Sequence, residues 1–203
     1  KRDREGSEWA FATWPTIAMS GSVGRVGATL QAGGQARDGR IAYIAHEMGH
    51  YYFGTLARSP GPYFWFMLES TAEFLSIKAL RALGGEAAAQ RHIAGLAAEV
   101  NGHTQPFVAL DKITDGASIG GTYRYHYGPL LLLSLERQVG EAKMRAFLRG
   151  LLSARNVRTW ADLQGVAARA GIDDAAWERW RSTCVADGRR VCQSQDSLGK
   201  TGR

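Results

Sequence analysis

Residues 46 to 50 combine two histidines with a glutamate, in the order His46-Glu47-Met48-Gly49-His50. Residues four apart on a helix lie one turn apart on the same face, so both imidazoles can bind one metal ion. Glu47 lies next to them, close enough to polarise a water molecule at that metal. The pattern therefore predicts a helix that carries a metal site able to activate water.

A third metal ligand is expected at Glu69. Residues 51–68, eighteen in number, separate it from His50, and they include Pro60-Gly61-Pro62, which lets a second helix turn back against the first. Two histidines and one glutamate form an established set of catalytic zinc ligands. Glu73 lies one turn after Glu69 and is expected to accept a hydrogen bond from a ligand histidine, which fixes its tautomer.

A simpler interpretation treats these groups as ordinary polar residues of two helices. It explains neither the glutamate between His46 and His50 nor the glutamate at the spacing of a third ligand. It also leaves charged groups inside two rather apolar helices, beside residues such as Ile44 and Phe66. The metal site is therefore the preferred hypothesis.

The sequence here resembles the aminopeptidase N-like gluzincin metallopeptidases. That family has His-Glu-x-x-His, a gap of eighteen residues, and a glutamate within a run similar to residues 68–74, Leu-Glu-Ser-Thr-Ala-Glu-Phe. The likeness continues in Tyr125-His126-Tyr127-Gly128 and in the helix pair that follows. It covers about residues 40–181.

The resemblance implies a zinc-dependent peptidase with a thermolysin-like α+β fold, in which a small sheet lies above a helical lobe. His46, His50 and Glu69 would hold Zn²⁺ in the cleft between them. Glu47 would act as general base, and Tyr125 would donate a hydrogen bond to the oxyanion of the tetrahedral intermediate. The alternative is a catalytically inactive metal-binding scaffold that binds a partner in the cleft.

Two departures from the family pattern concern the tyrosines and the substrate. Tyr127 occupies the place of the family's lysine, and Tyr123 and Tyr127 stay open as alternatives to Tyr125, because tyrosines at alternate positions can also pack around a helix start. The family's Gly-Ala-Met-Glu-Asn segment is matched only by residues 17–21, Ile-Ala-Met-Ser-Gly. They lack the glutamate that binds the α-amino group of the substrate.

This missing glutamate predicts either cleavage of internal peptide bonds or an amine anchor in a region absent from this chain. Asp111 and Asp115 are the other acids considered. Gly21, Gly24 and Gly27 lack the dinucleotide-binding spacing. They predict a loop beside the cleft whose backbone can pair with an extended peptide.

Hydrophobic periodicity and breakers predict the elements around the site. Short strands are expected in residues 9–19 and 28–32, and a Gly/Ser loop in 20–27. Helices are expected over 40–54, 63–83, 86–100, 123–139, 141–153, 159–170 and 174–184, with a long loop over 101–122. The chain is thus divided into an N-terminal β region (1–39), a helical zinc-binding lobe (40–183) and a C-terminal tail (184–203).

The net charge of +6 does not predict nucleic-acid binding, because the basic residues are dispersed. The densest group, Arg145, Arg149, Arg155 and Arg158, is interpreted as a solvated helix face rather than a phosphate or lipid contact. The expected partner is a peptide or protein substrate. No run is long enough to span a bilayer, so membrane association is expected only through a region absent from this chain.

The two cysteines, Cys184 and Cys192, have neither zinc-ribbon nor redox spacing. A small disulfide loop is favoured over two unrelated thiols, and export is the corresponding expectation. A removed upstream segment is also expected, because the chain begins at Lys1.

The remaining aromatic and histidine residues are given structural roles. His92 and His103 are interpreted as surface residues, and His126 as structural or exposed. The aromatic run over residues 63–66 is expected in the core.

Overall fold

A computed structural model gives the architecture, and it describes residues 10–19, 23–57, 60–154 and 156–188. The strands are β1 (Ala10–Thr13) and β2 (Thr16–Met19). The helices are α1 (Val23–Ala32), α2 (Gly34–Gly49), α3 (Thr71–Gly84), α4 (Glu86–Gly102), α5 (Gly128–Val139), α6 (Glu141–Ser153), α7 (Trp160–Arg169) and α8 (Asp174–Trp180). The predicted class, α+β and mostly helical, is confirmed for these residues.

The hairpin of β1 and β2 is antiparallel, with Ala10 opposite Met19. Trp14 and Pro15 form its turn and are joined by a cis peptide bond. Tyr51, just after α2, meets the Trp14 ring edge-on at 5.4 Å and donates to the Pro15 carbonyl at 3.2 Å. The strands predicted in this segment are confirmed, and these contacts fix the hairpin beside the end of α2.

Residues 23–32 are helical, so the predicted loop is wrong over 23–27 and the predicted strand over 28–32 is wrong, while residues 20–22 lie outside the described residues. Helix α1 contains Gly24 and Gly27, whereas Gly21 lies outside the described residues. Within the described residues, the predicted β region therefore holds only the hairpin as β-structure.

Helix α1 forms because packing outweighs the low helix propensity of its glycines. Leu30 packs against a small cluster from the next three helices, made of Ile41, Ala42, Leu80 and Ala88. Gly33 and Gly34 have φ angles of 77° and 65° and separate α1 from α2. Helix α2 consequently begins before the predicted position 40.

Helices α2 and α3 are the central pair of the fold. They approach so closely that a Cβ atom added to Gly49 would lie 2.9 Å from the Cα atom of Ala72. Only glycine permits this distance without a backbone shift. The contact brings the end of α2, with its two histidines, against the start of α3.

The main core lies beneath this pair, between α3 and the C-terminal helices. Trp177 and Trp180 are among its largest buried side chains, and the Trp180 indole donates to Ser134 Oγ at 2.9 Å. The predicted helices over 86–100, 123–139, 141–153, 159–170 and 174–184 are confirmed with small boundary shifts. The predicted loop over 101–122 is confirmed beyond the end of α4 and contains two 3₁₀ turns, Leu110–Lys112 and Gly116–Ser118.

Three π-helical turns interrupt the regular helices, at Phe66–Ser70, Tyr123–Tyr127 and Arg181–Val185. The first two are in contact, because Ser70 Oγ donates to the Arg124 carbonyl at 2.9 Å. A Cβ atom on Gly128 would lie 2.0 Å from Ser70 Oγ, so glycine is required there. A hydrogen bond thus links Ser70, next to Glu69, with Arg124, next to Tyr125.

The peripheral predictions have mixed outcomes. Arg145, Arg149 and Arg158 are exposed, as predicted for a solvated face, and Arg145 pairs with Glu141; Arg155 lies outside the described residues. Cys184 is buried and disulfide-bonded, and Cys192 lies outside the described residues. None of the described helices is long and apolar enough to cross a membrane.

Candidate metal centre

The two histidines at the end of α2 meet Glu69 on the first π-helical turn. Oε2 of Glu69 lies 3.3 Å from Nε2 of His46 and 3.4 Å from Nε2 of His50. One ligand atom from each residue lies within 4.8 Å of the other two, so the three can hold a metal ion. The structure therefore brings together the three residues predicted as ligands.

The two separations from Glu69 match edges of a coordination tetrahedron. Zinc bonds to imidazole nitrogen and carboxylate oxygen are about 2.0–2.2 Å long, and tetrahedral angles then place neighbouring ligand atoms about 3.4 Å apart. The Glu69 oxygen lies at 3.3 and 3.4 Å from the two imidazole nitrogens. The donor set and these two separations are compatible with zinc, and the three ligand atoms all lie within 4.8 Å of one another.

The other nitrogen of each imidazole is already hydrogen-bonded. His46 Nδ1 lies 2.8 Å from Oε2 of Glu73, and His50 Nδ1 lies 3.3 Å from the Phe53 carbonyl. A carbonyl and an ionised carboxylate only accept, so both Nδ1 atoms donate. This leaves both Nε2 atoms available to a metal, which is the arrangement typical of histidine ligands. Glu73 lies where the sequence predicted a supporting carboxylate.

His92 is not the unpartnered surface histidine that the sequence predicted. Its Nε2 lies 2.6 Å from Oε1 of Glu73, the oxygen that His46 does not use. Its side chain is about one quarter exposed, at 26%. The only available sequence signal was the short Gly84-Gly85 turn, since helices joined by a short turn pack antiparallel and bring residues on either side together.

Burial and hydrogen bonds act in opposite directions on the charged groups of the site. Burial alone would lower the pKa of His46, but hydrogen bonds to Glu69 and Glu73 outweigh it and raise this pKa to about 9. Burial would raise the pKa of Glu69 and Glu73, yet hydrogen bonds to the histidines lower both to about 2. In the metal-free protein, the cluster is therefore held by a protonated His46 between two carboxylates.

These shifts predict a pH-dependent stability of the metal-free protein. The folded-state pKa of His46 is about 9 against an ordinary 6.5, so its contribution is complete below pH 6.5 and is lost as the pH rises through 9. With chelator present, the free energy of unfolding should fall over this window by up to about 3 kcal/mol. Urea denaturation at a series of pH values measures it.

The control for this prediction is His46→Gln, which removes the titrating group and keeps a side chain that can form hydrogen bonds. The variant should be less stable at pH 6.5 and should lack the decrease between pH 6.5 and 9. Parallel curves for the two proteins would show that His46 does not have the raised pKa.

Glu47 lies beside the ligands, and the residue is only 6% exposed. Its Oε2 is buried and has no hydrogen-bond partner among the described residues. Burial raises the pKa of Glu47, and the charges of His46 and His50 partly oppose this. A carboxylate with a raised pKa and an unbonded oxygen next to a metal site is well suited to accept a proton from water.

Among the three alternate tyrosines, the structure places Tyr125 at the site. Its ring centroid lies 5.8 Å from that of His46, and the residue is 40% exposed. Burial and then the charge of Glu69 raise the pKa of its hydroxyl to about 12. Tyr123 and Tyr127 are instead buried and pack against Phe107. Of the three tyrosines, Tyr125 alone lines the cleft.

A cleft of about 840 Å³ surrounds the cluster. Part of its lining comes from β1, through Ala10, Ala12 and Thr13, and part from Tyr43 on α2 and from Phe64. The aromatic run over 63–66 was predicted for the core; Tyr63 and Phe66 are buried there, but Phe64 lines the cleft. Sequence reasoning also missed Tyr43, which precedes Glu47 by one helical turn and so shares its face.

The two other acids considered for substrate binding lie elsewhere. Asp111 pairs with Arg181 at 2.9 Å. Asp115 accepts a hydrogen bond from the Ala117 amide at 2.9 Å and caps a 3₁₀ turn. Neither lines the cleft. Its acidic lining among the described residues is Glu47, Glu69 and Glu73.

His126 and His103 take no part in the cluster. His126, interpreted from the sequence as structural or exposed, is half-buried. His103 follows α4, where its ring lies 4.7 Å from that of Phe107. Both residues lie outside the cleft lining.

Comparisons of the chain with protein-family models, with curated proteins and with solved structures find no match.

Proposed function

We propose that this chain is a zinc-dependent peptidase that cleaves internal peptide bonds. One observation carries the proposal: a carboxylate oxygen lies 3.3 and 3.4 Å from two imidazole nitrogens, as in a coordination tetrahedron, beside a buried carboxylate with an unbonded oxygen. Two nitrogen donors and one oxygen donor favour zinc among the common divalent ions. When bound, zinc lowers the pKa of a water molecule and polarises the scissile carbonyl.

Glu47 and Tyr125 supply the proton chemistry. Oε2 of Glu47 takes a proton from the attacking water and delivers it to the leaving nitrogen, which explains why this oxygen has no protein partner. The pKa of Tyr125, about 12, keeps its hydroxyl protonated at neutral pH. It can therefore donate a hydrogen bond to the oxyanion of the tetrahedral intermediate.

The arrangement of elements supports a thermolysin-like architecture. Helices α2 and α3 carry the ligand-bearing segments, the hairpin lies to one side of them, and the cleft runs between the two parts. The hairpin supplies only two strands, so the proposed likeness concerns how cleft and ligands are arranged rather than the size of the sheet.

An extended substrate would bind along β1. This strand pairs with β2 on one edge, and three of its four residues line the cleft. Exposed strand edges bind extended peptides through main-chain hydrogen bonds. The Gly-rich segment predicted for this role is not suited to it, because Gly24 and Gly27 belong to α1 and their backbone is helical.

Cleavage of internal bonds follows from the charges in the cleft. A free α-amino group that is desolvated on binding needs a carboxylate partner. Glu69 and Glu73 are engaged with histidines, and Glu47 is needed as the base. The described part of the cleft offers no further acid, so recognition of a free N-terminus is not expected.

The test compares a fluorogenic peptide that has a free N-terminus with the same peptide after N-acetylation. We expect comparable kcat/KM for both, complete loss of cleavage with a zinc chelator, and recovery when zinc is restored. Cleavage that requires the free amine would contradict the internal-bond preference. Cleavage that is insensitive to chelation would contradict the metallopeptidase proposal itself.

A further inference from the structure

Glu73 is a buried carboxylate with both oxygens in use. Oε2 accepts from His46 Nδ1 at 2.8 Å, and Oε1 lies 2.6 Å from His92 Nε2. Its side chain is only 12% exposed, so solvent offers little compensation for a lost partner. A buried carboxylate that loses one of two charge-assisted hydrogen bonds is destabilised in its ionised form.

The orientation of the Glu73 carboxylate determines the direction of the His46 ring. With one hydrogen bond, a glutamate carboxylate can still rotate about its terminal torsion, which is broad. With a second donor on its other oxygen, the carboxylate plane is fixed. The fixed plane in turn holds the His46 ring with Nδ1 bonded and Nε2 directed to the Glu69 oxygen 3.3 Å away.

His92 lies on α4, an element that contributes none of the three ligand residues. Helix α4 packs against α3, and Ala89 and Leu96, which lie one turn on either side of His92, are buried. The hydrogen bond from His92 therefore links the site to the docking of a third helix.

From this geometry we propose that His92 is a positioning residue for the metal site, acting through Glu73 on His46 to preorganise the ligand set. The inference rests on the proposed zinc site and goes beyond it, because it assigns a role to a residue that is none of the three ligands. Outer partners of metal ligands typically contribute 10- to 100-fold to metal affinity. His92 acts one bond further out, so we expect the lower end of that range.

The test measures the zinc dissociation constant by competition with a chromophoric chelator, together with the visible spectrum of the Co²⁺-substituted protein. His92→Leu should bind zinc about tenfold more weakly than wild type and should show an altered Co²⁺ spectrum. His92→Gln keeps an N–H donor and should recover most of the affinity. His103→Leu, just after the C-terminal end of α4 and outside the cleft, should bind as wild type does.

The outcomes separate this inference from the proposed function. If wild-type protein binds no zinc, the proposed metal site itself is wrong. If it binds zinc and His92→Leu binds equally well, only the positioning role of His92 is wrong. A purely structural role would lower the melting temperature of the chelated variants and leave the dissociation constant unchanged, which would likewise overturn the inference. Equal losses in His92→Gln and His92→Leu would show that the hydrogen bond is not responsible.

Discussion

Substitution of Glu47 by glutamine should reduce kcat for peptide hydrolysis by roughly a thousandfold or more while zinc stays bound. Glutamine has nearly the same size but cannot accept the proton of the attacking water, and it cannot return that proton to the leaving nitrogen. Glu47 is not among the three ligands, so the metal site should persist. Its buried Oε2 has no hydrogen-bond partner among the described residues, so the change should not disturb the fold.

The measurement is a progress curve for an N-acetylated fluorogenic peptide, with zinc content and melting temperature recorded on the same samples. Glu99→Gln provides the control, because Glu99 is exposed on α4 and lies outside the cleft; it should retain full activity. Hydrolysis that survives Glu47→Gln at the wild-type rate would show that another group is the base.

Substitution of His50 by alanine should remove the metal. Wild-type protein purified without added metal should contain about one zinc per chain, and the variant close to none, because only one imidazole and one carboxylate of the catalytic set are left. His50 is chosen because its Nδ1 bonds to a backbone carbonyl. Loss of this nitrogen therefore deprives only a backbone carbonyl, and no charged side chain, of a hydrogen bond.

Elemental analysis gives the zinc content, and thermal unfolding gives an independent readout. Binding to the folded state alone stabilises it, so chelation should lower the melting temperature of wild type and leave that of His50→Ala unchanged. His103→Ala serves as the histidine control and should keep its zinc. Full zinc content in His50→Ala would contradict the ligand assignment.

Residues His46, His50, Glu69 and Glu73 could be placed together from sequence because the information is local. Two histidines four apart share a helix face, and a proline-glycine segment returns the next helix to it. The later helices were also predictable, since their apolar residues recur at helical spacing over more than ten residues. Because these apolar faces are buried in one core, the spacing predicts the helices reliably.

Helix α1 was missed because its local signals point away from a helix. Gly24 and Gly27 have low helix propensity, and the short apolar run after them is equally compatible with a strand. What stabilises α1 is the contact of Leu30 with residues such as Ile41 and Leu80. These partners are distant in sequence, so no local window contains the information.

The partnership of His92 with Glu73 was missed for a related reason. The two residues are nineteen positions apart and lie on different helices, and their contact depends on how α3 and α4 rotate against each other. Sequence periodicity gives the face of a helix but not the packing offset between two helices. The π-helical turns were missed because their five-residue segments carry the same apolar pattern as ordinary helix.

The π-helical turns at Phe66–Ser70 and Tyr123–Tyr127 also bear on how this site can change during evolution. A π turn accommodates one residue more than an α turn, so deleting a residue there would give a regular helical turn, keep the flanking segments in phase and change the directions of the side chains inside the turn. Glu69 or Tyr125 would then face away from His46. Relatives that keep the ligand set should therefore have their insertions and deletions outside these two turns. Relatives with a one-residue deletion inside either turn should also have lost ligand residues.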